Sequence, residues 1–114
     1  MRAALVTTFG SPIPGREHLA IEYARQVDDY WGKVAALGIC SVPEWYWASR
    51  GHNIWVTRGE MEDLMDQLLS PVGVWLMNKG KALVEGFGYD LYVCGREEGL
   101  KPFEDMLAQL RLAA

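Results

Sequence analysis

The sequence predicts an α+β domain: a four-stranded antiparallel sheet with helices packed on one of its faces and one further helix at the C-terminal end. Three observations predict it. The spacing of apolar residues alternates between a period of two and a period of 3.6, in the order β-α-β-β-α-β-α. The second and third strands are separated by a short Gly-containing turn and read as a hairpin. The other strand connections carry helices long enough to cross the sheet. At 114 residues the chain fits one domain, in which roughly two-thirds of the unfolded chain's surface is hidden on folding.

The first strand is Ala3 to Phe9, ended by Gly10-Ser11-Pro12-Ile13-Pro14-Gly15, where prolines cannot join a ladder and glycines favour turns. From Arg16 the period becomes helical. Ala20, Tyr23, Ala24, Val27, Trp31, Val34 and Ala35 share one face, and Glu22, Gln26, Asp29 and Lys33 share the other. Gly38 suits the position just past the helix end, where left-handed dihedrals cost it nothing. Ile39 to Ser49 reads as a long strand rich in β-branched and aromatic residues, with Pro43 pointing to an edge or a bulge. Arg50-Gly51-His52-Asn53 turns the chain, Ile54 to Thr57 returns, and Arg58-Gly59 ends the hairpin. Glu60 to Leu69 is helical, with acids in its first turn where they suit the dipole. Ser70 then caps a fresh start with Pro71 at the first position, and that helix runs through Met77. Val84 to Cys94 is the fourth strand, closed by Gly95, and Leu100 to Leu112 is a terminal helix striped with Phe103, Met106, Leu107 and Leu110. Two crossovers around one hairpin make a ferredoxin-like βαββαβ sandwich with an added helix.

The uncovered face of that sheet is the informative one. A merely wetted face would make one parity of each strand polar. The second strand instead carries Trp45 and Trp47 on one parity and Val42 and Tyr46 on the other. The fourth carries Gly86, Gly88, Asp90, Tyr92 and Cys94 opposite Phe87, Tyr89, Leu91 and Val93. An open aromatic face of that size invites aggregation, and covering it with the same face of a second copy predicts a homodimer.

Composition narrows the partners. A formal charge of −4 with interspersed signs offers no basic stripe, which argues against nucleic acid. No apolar run approaches the roughly 18 residues of a membrane span. The start MRAALVTTFGSPIPG has too short an apolar core for a signal peptide, so a cytoplasmic protein is expected. Cys40 and Cys94 lie far apart with no CxxC and no nearby histidine, as in two small hydrophobes of a reducing compartment. Five Trp, five Tyr and three Phe are the unusual count, and they serve either as core and dimer packing or as the lining of a site for a ring.

The segments PGREHLAIEYARQVDDYWGKVAALGI (14–39), VTRGEMEDLMDQLLS (56–70) and ALVEGFGYDLYVCG (82–95), with the hairpin between the first two, resemble the dimeric α/β-barrel superfamily. That superfamily includes the antibiotic-biosynthesis monooxygenases, EthD-like, muconolactone isomerase and YCII-like proteins. The resemblance is nearest to a subgroup of small uncharacterised bacterial proteins. It implies a homodimeric barrel and a cofactor-independent monooxygenase, isomerase or cyclase acting on an aromatic or polyketide-like substrate. It fixes no reaction, because members of one fold do different chemistry.

Candidate site residues follow from residue type and place. Asp90 stands among glycines and aromatics. Facing a dimer cavity it would be desolvated and able to take a substrate proton; at a strand edge it would be an ordinary solvated acid. Glu44 shares this argument more weakly. His18, at the start of the first helix, and His52, in the hairpin turn beside Arg50, have the chemistry of an acid or base near neutral pH, and both also fit simple exposed positions. Trp31, Trp45, Trp47, Tyr89, Tyr92 and Arg50 are the candidate substrate contacts, with Gly86 and Gly88 leaving bare backbone beside Phe87 for a ring to lie on. Two distant histidines without a carboxylate at ligand spacing predict no metal site, and the absence of a P-loop, GxSxG, HExxH or dinucleotide fingerprint predicts no cofactor. The alternatives are a non-enzymatic dimeric binding or scaffold protein and, third, haem binding or degradation, against which stands the lack of a histidine in 71–83.

Overall fold

Alternation along the first strand decides what lies on either side of the sheet. In the computed structural model, which describes residues 1–95 and 100–113, β1 (Arg2–Phe9) buries Ala3, Leu5 and Thr7 completely and leaves Thr8 exposed. The covering layer is α1 (Glu17–Ala36), α2 (Met61–Leu69) and α3 (Pro71–Leu83). The remaining strands are β2 (Glu44–Tyr46), β3 (Asn53–Glu60) and β4 (Gly88–Val93), and α4 (Lys101–Ala113) follows. The sheet order is β2-β3-β1-β4 with every neighbouring pair antiparallel. This is the expected four-stranded α+β arrangement, consistent with a ferredoxin-like sandwich.

The helices form where the periodicity places them. Ala20, Tyr23, Val27, Trp31 and Val34 make the buried stripe of α1, and Gly38 ends it at φ +80° with its N–H donating to the Ala35 carbonyl. The Ser70 hydroxyl accepts the Gly73 N–H at 3.1 Å, and Pro71 occupies the first turn of α3. Gly73 is required there, because a Cβ would lie 2.0 Å from the Gln67 carbonyl oxygen.

Four elements differ by more than one residue from the sequence reading. The long strand expected over Ile39–Ser49 is the three-residue β2 plus an isolated bridge between Cys40 and Gly59. Pro43 cannot donate to the ladder. Beyond Tyr46, the Ala48 N–H turns to the Asn53 side chain (3.0 Å) rather than to a strand. The partner strand passes Arg58-Gly59 and ends at Glu60, because the Ser41 backbone and hydroxyl bond Arg58. No side chain fits at Gly59, where a Cβ would meet the Ile39 carbonyl oxygen at 2.8 Å. α3 runs beyond Met77 to Leu83. Gly80 costs helix propensity of about 1 kcal/mol, but it lets Tyr23 and Phe87 pack against the helix backbone, where a Cβ would lie 2.3 Å from the Phe87 ring. Finally, Val84 and Glu85 bond the loop after β1 instead of starting β4, and Gly86 at φ +61° redirects the chain first.

Candidate functional site

Small residues on α1 face large ones on the sheet, and the mismatch leaves space. Ala20 and Ala24, four apart on the helix, lie opposite Phe9, Trp45 and Trp55. Tyr23, Val84 and Phe87 close one side and Trp47 another. The result is a cavity of about 130 Å³ whose lining is almost wholly carbon. A void of about 150 Å³ lined by aliphatic and aromatic groups holds a benzene molecule and stays dry without one, so the space suits one apolar ring.

The walls are held in place by specific bonds. Trp45 is on the helix-facing parity of β2, opposite Trp55, and its indole N–H donates to Asp28 of α1 at 3.0 Å. Phe9 meets Trp45 and Trp47 edge-on, with centroids 5.8 and 5.4 Å away. Trp47 stacks on Trp45 at 6.2 Å and 12° while remaining 69% exposed, so it forms the outer wall. The Tyr23 hydroxyl donates to the Leu76 carbonyl at 2.7 Å, and burial pushes its phenol above the ordinary tyrosine range. It is a fixed hydrogen-bond donor to the backbone.

A wider groove adjoins the cavity and shares Phe9 and Gly10 with it. Its walls come from the hairpin turn, the loop after β1, the segment before β4 and the strand residues Thr8 and Ile54, and they include Ser11, Arg50, His52, Asn53 and Glu85. The loop and the segment are stapled together: the Gly10 N–H donates to the Glu85 carbonyl at 2.7 Å, and the Glu85 N–H to the Ser11 carbonyl at 2.9 Å.

The residues singled out in the sequence are distributed over several places. Trp45 and Trp47 line the cavity, and His52 and Arg50 line the adjoining groove. Trp31, 1% exposed, is core, with its ring 5.8 Å from Trp55. Tyr89 faces a separate groove with Met65, Leu68 and Leu91. Asp90 and Tyr92 pair with Val6 and Ala4 on the uncovered face, so a ring in the cavity is separated from both by the thickness of the sheet. Glu44 is on that uncovered face too, 3.5 Å from Arg58, and accepts the Tyr46 hydroxyl. His18 is exposed at the start of α1, 3.1 Å from Glu22. Cys40 and Cys94 are free and half-buried. Among the described residues no group of three or more His, Cys, Asp or Glu is placed to hold a metal ion, and no helix is long and apolar enough to cross a membrane.

The sequence reading passed over Phe9 and the pair Ala20 and Ala24 as site residues. Both were accessible. Phe9 continues the buried parity of Ala3, Leu5 and Thr7, and two alanines at i, i+4 on a face that meets indoles signal unfilled space.

No protein-family model matches the sequence, and no curated protein sequence does either. The fold is similar to the solved structure of Rv0793 from Mycobacterium tuberculosis, with a TM-score of 0.66 over 84% of this chain and 97% of that one. The identity is 13%, so the likeness is one of fold.

Proposed function

We propose that the chain is a homodimeric protein that binds a small apolar or aromatic molecule in the cavity between α1 and the sheet. The carrying observation is an apolar, aromatic-walled space of about 130 Å³ built from Phe9, Trp45, Trp47 and Trp55 against two alanines. Apolar concavity with few polar groups is the usual character of a small-molecule site. The dimer is supported by the uncovered sheet face. The half-buried Val6 and Ile54 flank the buried Ala4 and Val56 there, bordered by Glu44, Arg58, Asp90, Tyr46 and Tyr92. An apolar centre with a polar rim is how interfaces are built. The described side chains of α4 are exposed, Phe103, Met106, Leu107 and Leu110 included, which adds apolar surface for a second copy to cover.

Binding is the function supported best, because no acid and no histidine lines the cavity. The oxygenation, isomerisation or cyclisation that the family resemblance implies would draw its proton-transfer group from the adjoining groove, where His52 stands. Asp90 stands on the opposite face of the sheet, His18 is exposed beside Glu22, and neither lines the cavity. Haem does not fit: the cavity matches a single ring, and it offers no histidine.

Native mass spectrometry of freshly purified protein tests both halves of the proposal. A dimer that carries a small apolar adduct, or takes up added toluene, is expected. A monomer would overturn the dimer, and a protein that neither carries nor takes up such a molecule would overturn the binding function.

A further inference from the structure

We infer that the ligand is amphipathic, an apolar ring bearing an anionic head such as a carboxylate, with the ring in the aromatic cavity and the head in the groove beside it. The inference rests on the proposed ring-binding function and adds the chemical class. Its basis is that two unlike spaces meet. The cavity is lined by carbon, the groove by a mixture of apolar groups and hydrogen-bonding side chains, and Phe9 and Gly10 belong to both walls. A ligand that occupies both would pass Phe9 and Gly10.

The groove's chemistry selects the head. The Asn53 side chain is nine-tenths buried, and its Oδ1 is occupied by the Ala48 N–H at 3.0 Å. That bond fixes the amide orientation and leaves the NH₂ as the group available to the groove it lines. Arg50 lines the same groove and forms no ion pair among the described residues. His52 and the Ser11 hydroxyl add two more donors. Glu85 is the one carboxylate of the groove, and it has its backbone committed to Gly10 and Ser11. Donors from four side chains against one acid favour an anionic oxygen over an ammonium, and Arg50 supplies the charge-assisted, fork-shaped pairing that carboxylates accept.

Isothermal titration with three probes of one shape tests this: 3-phenylpropionate, propylbenzene and 3-phenylpropylamine. The acid is expected to bind about tenfold tighter than the amine, from one charge-assisted contact. Arg50→Gln, a change at an exposed turn, is expected to remove that preference. Propylbenzene binding as tightly as the acid, or the amine binding tighter, would overturn the anionic head while leaving ring binding intact. Failure of all three probes would instead overturn the ring-binding function and this inference with it.

Discussion

On its helix-covered side β1 presents Ala3, Leu5, Thr7 and Phe9; on its other side it presents Ala4, Val6 and Thr8. The first set ends on a ring that meets two indoles beneath a helix carrying alanines, and the layers fail to close. The second set is small throughout and runs level with Ile54 and Val56 of β3, so it forms a plain apolar centre inside a border of charges and phenols. Concavity comes from unequal side chains in facing layers, and flatness from equal ones. The first suits a small molecule and the second suits another protein surface, though both arise from the same alternation of one strand.

The largest effect separates the core tryptophan of α1 from the tryptophan of the cavity wall. Trp31→Ala removes a wholly buried indole and should cost about 3–5 kcal/mol in urea unfolding. Trp47→Ala removes an exposed wall and should cost about 1 kcal/mol or less while weakening ring binding strongly. Equal stability losses would mean that Trp47 is core and the cavity closed. Gly80→Ala comes next. Its Cβ would strike the Phe87 ring and the Tyr23 hydroxyl, so about 1–3 kcal/mol of stability should be lost and Phe87 driven toward the cavity. Wild-type stability and ring affinity in that variant would show the packing to be looser than described.

Val6→Lys acts on the other face. It should convert the proposed dimer into a monomer by light scattering and leave ring affinity unchanged, because the cavity lies across the sheet. Loss of both together would show that the two regions are one site. Tyr23→Phe is the mildest change. It leaves the buried Leu76 carbonyl without its donor, at a cost of about 1–2 kcal/mol. It also has a pH signature. The folded phenol is raised above its unfolded value of 10.0, so its contribution is fully present below that pH. As the pH rises further the unfolded state sheds this proton first, and stability falls. The alkaline decline should be shallower in Tyr23→Phe, as followed by urea midpoints across that range.

Much of this was legible in the residues. The i, i+3, i+4 stripe of α1, the Ser70-Pro71 start of α3 and the Gly38 stop each follow from local chemistry, and each stands where that chemistry puts it. Local reasoning failed where tertiary bonds replaced ladder bonds. The Asn53 side chain ends β2 by taking the Ala48 N–H, and Gly86 in the left-handed region delays β4. The site was half legible. Trp45 and Trp47 could be named from their density, but Asp90 stood out only as an odd residue in its strand. Its partner Val6, and so its distance from the cavity, depends on strand register, which no single strand contains.

Phe9, Trp45, Trp47 and Trp55 wall the space proposed to take an apolar ring, and one titration shows whether a ring enters it. Tryptophan fluorescence is followed as propylbenzene is added to the wild type and to Ala24→Phe, in which a new ring at a half-exposed position of α1 fills the cavity from within. A saturable change is expected in the wild type and none in a folded Ala24→Phe. A wild type that shows no saturable change, or a filled variant that responds as the wild type does, would contradict ring binding in that space.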